Sequence, residues 1–264
     1  MRPWLLREVT YEHVKNHPYE VAVLPLGATE PHNLHLPYGT DTFEATTLGE
    51  RLCEAAHQQG ASIVLLPTIP YGTETNMRAF PLAMNVNPST IYAMITDLVQ
   101  SLSLAGIRKL VLLNSHGGNE FKPLLRELYG STDVHLFLCN WYQILSDVYD
   151  EIFTHRDDHA GEMETSFMLA FHEELVARNE DGTLTADGGE PQPMRLEALE
   201  RKWVSITRPW HLLTTQTGCG NPHEASAAKG RELVRRLEER LVPFLVELAQ
   251  TPIDGTFPFE NRLM

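Results

Sequence analysis

Thiols are scarce in this chain. Cys53, Cys139 and Cys219 are the only three, and no pair of them has C-x-x-C spacing. An odd, scattered set excludes a disulfide framework and is expected of a reducing compartment, here the cytoplasm. Cys139, inside "VHLFLCNW", reads as a small apolar core residue. Long apolar runs are also missing: no stretch approaches the roughly 20 residues that a membrane helix needs. The opening "MRPWLLREVTYEHVKNHP" is charged throughout and lacks the apolar centre of a secretion signal. Positive charge is in deficit, with 21 Lys and Arg against 35 Asp and Glu and a formal net charge of −14. That balance argues against nucleic acid or an anionic membrane as the main partner. Internal repeats and low-complexity tracts are absent as well.

What the chain does have is enough apolar material for a large core, 42% over 264 residues, so about three-quarters of the unfolded surface should be buried. Four apolar runs read as strands covered on both faces: "EVAVLPLGA" (20–28), "ASIVLLPTIPYG" (61–72), "KLVLLNS" (109–115) and "VHLFLCNW" (134–141). Helical patterns alternate with them. These cover 42–60 ending at Gly60, 88–106 with Ser89 as N-cap and Gly106 at its end, 118–130, 161–176 and 223–250. The alternation predicts an α/β fold: one three-layer α/β/α domain over residues 1–264 with a mostly parallel central sheet. The Gly/Pro-rich stretch 177–222 either crosses the active-site face or serves assembly.

The unusual polar residues collect where strands end, the place where open α/β sheets bind ligands. "PLGATEPHNLHLPYGTDTFEA" carries Glu30, His32, His35 and Asp41, "NSHGGNE" carries His116, and "HRDDHAGEMETS" carries His155, His159, Glu162 and Glu164. Glu30, His32, Asp41, His116 and a glutamate from 162–164 would offer imidazoles and carboxylates without thiolates. Such a set suits Zn²⁺, Mn²⁺ or Fe²⁺ rather than Ca²⁺. Asp41 is the best-placed bridge between two ions. Each residue alone has a plainer explanation: Asp41 after Thr40 fits helix capping, and Glu162 and Glu164 fit a first helical turn. Their recurrence at successive strand ends weakens those explanations.

The motifs together resemble the creatininase family. "LPLGATEPHNLHLPYGTDT", "VLLNSHGGN", "HAGEMETS" and "CGNPHEASAAKG" are similar, in order, to that family's strand-to-E-x-H loop, its H-G-G-N turn, its H-A-G-E-x-E-T-S segment and its late G-x-P-to-K-G element. The resemblance implies a creatininase-like α/β hydrolase, usually hexameric, that opens C–N bonds of small, often cyclic, amides with divalent metals. It implies Glu30, Asp41 and His116 around one ion and His32 with Asp41 around a second, so two ions per chain. Where creatininase itself has a further glutamate ligand, this chain has Gly118, and Glu162 is the expected replacement. His159 is expected to donate a proton to the leaving nitrogen, with Glu164 supporting it or a ligand.

The chain also departs from creatininase at substrate-facing positions. Gly117 and His155 stand where that enzyme has a tyrosine and a tryptophan, and Phe80-Pro81-Leu82-Ala83 replaces F-P-G-T. A member outside creatininase proper is therefore expected, with a substrate other than creatinine and with Glu74, Asn76, Arg78 and His155 as candidate substrate contacts. The sequence reading is a metal-dependent amidohydrolase acting on a small molecule through a metal-activated hydroxide. Alternatives are a hydrolase of a cyclic keto-sugar or lactone at the same site, or a non-catalytic scaffold.

Overall fold

The computed structural model describes residues 1–260. Runs of Val, Leu and Ile that stay apolar at successive positions become strands buried on both faces. They are β1 (Val21–Leu26), β2 (Ile63–Leu65), β3 (Lys109–Asn114) and β4 (His135–Asn140). All pair in parallel, in the order β2-β1-β3-β4. The helices are α1 (Tyr11–Asn16), α2 (Thr40–Gln58), α3 (Pro88–Leu104), α4 (Lys122–Leu128), α5 (Tyr149–Ile152), α6 (Glu162–Phe171), α7 (Glu197–Glu200), α8 (Trp210–Leu213) and α9 (Ala227–Gln250).

Alternate strand residues face two separate cores. Val21, Val23, Val111 and Leu113 pack with Leu48 and Leu52 of α2, Phe167 of α6 and Leu237 of α9. Ala22, Leu24, Leu110 and Leu112 pack with Ile91 and Ile95 of α3 and Leu124 of α4. The result is three layers, helix on sheet on helix. Each fully buried side chain such as Leu48 or Ile95 contributes about 1.5–3 kcal/mol relative to exposure. On the α2 side, Gly230 of α9 lies so close to α6 that a Cβ there would come within 2.0 Å of the Ser166 carbonyl oxygen.

The α/β expectation holds, with local corrections: the helices expected over 118–130, 161–176 and 223–250 are shorter, at Lys122–Leu128, Glu162–Phe171 and Ala227–Gln250. The second strand stops at Leu65, because Pro67 and Pro70 cannot donate to a ladder. Helix α3 is capped at Asn87 with Pro88 in its first position, rather than at Ser89, because proline's fixed φ suits that position.

β1 and β3 are neighbours in the sheet, yet the helices that follow them, α2 and α4, pack on opposite faces. Their connecting loops diverge at this point and leave a crevice beyond the carboxyl ends of the two strands. The loop after β1, the turn after β3 and the segment before α6 all meet there.

Candidate metal centre

Three histidines enter the crevice, and each is oriented by a backbone carbonyl. A carbonyl can only accept, so the ring nitrogen facing it carries the proton. His32 Nδ1 donates to Glu30 O at 2.9 Å, His116 Nε2 to Thr73 O at 3.2 Å and His159 Nε2 to Pro31 O at 2.9 Å. The second nitrogen of each ring therefore turns toward carboxylates. His32 Nε2 lies 3.4 Å from Asp41 Oδ1. His116 Nδ1 lies 3.1 Å from Glu30 Oε1 and 3.3 Å from Asp41 Oδ2. His159 Nδ1 lies 3.5 Å from Glu30 Oε1. This is the usual outer support of metal-binding histidines.

The supporting frame follows from the local sequence. In "NSHGGN", the Asn114 side-chain amide donates to His116 O at 2.8 Å, and that of Asn119 donates to Asn114 Oδ1 at 3.0 Å. Asp41 lies in the first turn of α2, where the helix dipole favours a carboxylate. His159 is held on both sides by Cys219, its N–H donating to Cys219 O at 3.0 Å and its carbonyl accepting from Cys219 N at 2.8 Å. Beyond it Ala160 takes a left-handed φ of 50°, and its N–H donates to Glu164 Oε2 at 2.5 Å.

Burial and charge make this cage costly without cations. Glu30, His32, Asp41, Glu74, His116 and His159 are all buried. Burial works against the charge on His32, but Asp41, Glu164 and Glu30 outweigh it and raise its pKa to about 9. Burial alone would raise Glu30, yet the charges of His116 and His159 hold it well below the usual carboxylate range. Burial and the neighbouring Glu30 and Asp41 push Glu74 up to about 10, against the pull of His116. Burial, then Glu164 and Asp41, keep Glu44 well above its ordinary value.

The donor set fits divalent ions. His32 Nε2 and Asp41 Oδ2 are buried and lack a hydrogen-bond partner among the described residues, which is expensive unless something else binds them. The Asp41–His32 and Asp41–His116 separations given above match the spacing of about 3.3–3.4 Å between ligands of a tetrahedral ion with bonds near 2.0–2.1 Å. Three overlapping sets have ligand atoms within 4.8 Å of one another: Glu30, His32 and His159; Glu30, Glu74 and His116; His32, Asp41 and Glu164. Residues 30, 32, 41 and 116, singled out in the sequence, thus come together.

Other expectations meet a different geometry. Glu162, expected as the replacement ligand, is fully buried but turned away. Its carboxylate pairs with Lys229 of α9 and accepts the N–H groups of Thr154 and His155, both at 2.8 Å. Glu164 stands beside His32 and Asp41 instead. His35 also faces away, its Nε2 being 2.8 Å from Thr165 Oγ1, and burial pushes its pKa down to about 3. Arg78 is exposed and donates to Asn87 Oδ1 at 3.0 Å. Neither Arg78 nor His155 lines the cavity at the centre, which measures about 110 Å³. Glu74 and Asn76 do line it.

Asp158, one of the polar residues of "HRDDHAGEMETS", lines the same cavity with Arg208 and Trp210, and the last two were not singled out from the sequence. Arg208 pairs with Asp158 at 2.5 Å and lies 5.4 Å from the Trp210 ring centre. Trp210 meets the His159 ring edge-on, with 5.1 Å between centres. The 177–222 stretch does cross the face of the site, and "TRPWH" (207–211), an aromatic beside a cation in a polar loop, was the available signal.

Known proteins resemble this chain in sequence and in overall fold. The creatininase family model, described as creatinine amidohydrolase, matches residues 7–245. A mycofactocin precursor peptide peptidase of Mycobacterium ulcerans is 27% identical over 240 residues, 88% of this chain and 87% of that protein. Creatinine amidohydrolase of Pseudomonas putida is 29% identical over 176 residues, 59% of this chain and 66% of that protein. A crystal structure of a candidate creatinine amidohydrolase from Bacteroides fragilis superimposes with a TM-score of 0.85 at 35% identity, covering 96% of this chain and 99% of that one. A manganese form of creatininase gives a TM-score of 0.70 at 20% identity, covering 94% and 99%.

Proposed function

The chain belongs to the creatininase family of hydrolases, outside creatininase proper, and from that premise we propose that it is a metal-dependent amidohydrolase cleaving a C–N bond of a small amide, cyclic amides included. The observation that carries the reading is the placement of Asp41, whose two oxygens face His32 and His116 separately. Glu30, Asp41 and His116 would hold one ion; His32, Asp41 and Glu164 would hold the other. Zinc, manganese and iron all suit these donors. When bound, such ions supply an acidified water and polarise a carbonyl.

The chain's own groups do the rest. His159 keeps its Nε2 proton on Pro31 O, so Nδ1 is the nitrogen that takes up a proton and passes it to the departing nitrogen. Trp210 packs against the edge of His159 and limits its motion. Arg208 offers a planar guanidinium at the cavity wall to an electronegative or anionic part of the substrate. The cavity at these groups, about 110 Å³, suits a small substrate portion.

The coverage of the mycobacterial peptidase, 88% of this chain, brings a second reading, in which the C–N bond is that of a peptide. A non-catalytic scaffold is disfavoured, because a buried acidic cage kept without cations would be destabilising. The enzyme would act as a single domain over residues 1–264 in the cytoplasm, in keeping with three free cysteines. Assembly into a homo-oligomer, a hexamer by family likeness, is supported by the exposed Trp203, Val204, Ile206 and Leu212.

The test is elemental analysis of chelator-free protein followed by product analysis on amides and short peptides. Close to two divalent ions per chain and release of an amine are expected. Release of a new amino terminus selects the peptide reading. No metal even after reconstitution, or turnover unaffected by chelation, ends both.

A further inference from the structure

Glu74, expected from the sequence as a substrate contact, has no part in the two ion sites proposed above, although it is as deeply placed as any ligand. It comes from the excursion after β2 and is only 1% exposed. Its Oε1 lies 3.1 Å from Nε2 of His116. That nitrogen already donates to Thr73 O, and among the described residues no N–H or O–H donor reaches either oxygen of Glu74. A buried carboxylate without a donor is costly. Around this crevice His32 Nε2 and Asp41 Oδ2 share the same condition, and both belong to residues assigned to metal.

The turn that carries His116 cannot fill the space itself. A Cβ at Gly118 would fall 2.3 Å from His116 Nε2 and 2.3 Å from Thr73 O, so no side chain fits there. The acidic group beside His116 arrives instead from another segment, as Glu74. The charges point the same way. Glu30, Asp41, Glu74 and Glu164 line the cavity, while its cation, Arg208, is paired with Asp158. Two divalent ions would balance those four carboxylates.

We propose that Glu74 is a fourth carboxylate of the metal centre, binding the ion held by Glu30, Asp41 and His116. The assignment rests on the metal-dependent reading above. It makes this chain's first ion richer in oxygen ligands than the Glu30–Asp41–His116 set alone.

The experiment compares wild-type protein with Glu74→Gln, which keeps shape and removes charge. Metal-free samples of each are titrated with Zn²⁺ and Mn²⁺ against a competing chelator, and Co²⁺-loaded samples are compared by visible absorption. Both proteins should take up two ions. In the variant one of them should bind at least about tenfold more weakly, and the Co²⁺ band should change as a ligand is lost. The two metal-free proteins should melt at similar temperatures, and the variant should gain less than wild type on loading. A purely structural glutamate would change the metal-free protein and leave that gain unaltered.

Unchanged affinities and an unchanged Co²⁺ spectrum would overturn the assignment. A rise in KM with metal binding intact would overturn it too, and would give Glu74 to the substrate. If wild-type protein itself binds no metal, the proposed function fails rather than this assignment alone.

Discussion

Asp41 divides its carboxylate between two histidines, with Oδ1 3.4 Å from His32 Nε2 and Oδ2 3.3 Å from His116 Nδ1. One side chain in the first turn of α2 thereby joins a loop that follows β1 to a turn that follows β3. Losing it should disturb both ions at once.

Asp41→Asn is therefore expected to lower the bound metal from two ions to one or fewer. Turnover should fall by about 10³-fold or more, since several kcal/mol of transition-state stabilisation depends on the ions. Elemental analysis beside a rate assay checks this. A variant that keeps two ions and most of its rate would remove Asp41 from the bridge.

The acidity of His32 sets a pH dependence. Its pKa in the metal-free fold is raised from 6.5 to about 9. A folded value above the unfolded one means that the stability from protonated His32 is complete below about pH 6.5 and is lost as pH rises through 9. Metal capture needs the Nε2 lone pair, so binding displaces that proton and affinity should climb with pH up to about 9. The metal-free and loaded proteins should thus respond to alkali in opposite directions. Calorimetric titration in two buffers of different ionisation heat would show the proton released; none released near pH 7 would contradict the assignment.

Glu162 and Glu164 can be separated by their partners. Lys229→Met leaves Glu162 buried without its cation and should cost about 3–5 kcal/mol of stability, with two ions still bound. Glu164→Gln should leave the fold largely intact and weaken one ion. Thermal unfolding and metal counting on the two variants decide the matter, and the opposite pattern would return Glu162 to the metal.

His159→Gln should retain both ions and lose about 10²–10⁴-fold in kcat, the usual worth of a positioned proton donor. The loss should shrink for substrates whose leaving group needs little protonation. Equal losses across a leaving-group series would argue that His159 only holds the loop.

How much of this was legible beforehand varies with the range of the interaction. The strands showed because both faces of the sheet are covered, so Val21 through Leu24 are apolar at every position. Glu30, His32, Asp41 and His116 showed because each follows a strand end in a recognisable motif. Glu162 and Glu164 could not be told apart from "HAGEMETS". Two steps of about 100° around a helix turn one toward Lys229 of α9 and the other toward Asp41, and which is which depends on a helix far along the chain. Glu74, Arg208 and Trp210 reach the cavity from excursions whose path is set by tertiary packing rather than by periodicity. Arg78, a few positions from Glu74, was the more conspicuous residue and proves to be exposed.

The Lys229–Glu162 pair also sets an order of events during synthesis. Glu162 holds the N–H groups of Thr154 and His155, at the start of the loop that presents His159. Its own counter-charge comes from α9. When residue 164 has left the ribosome, every ligand candidate has been made, but the lysine that secures their frame has not. The loop that presents His159 therefore gains its full support only after α9 has emerged and docked on α6, so the frame is secured late, when all of the candidate ligands have already been made.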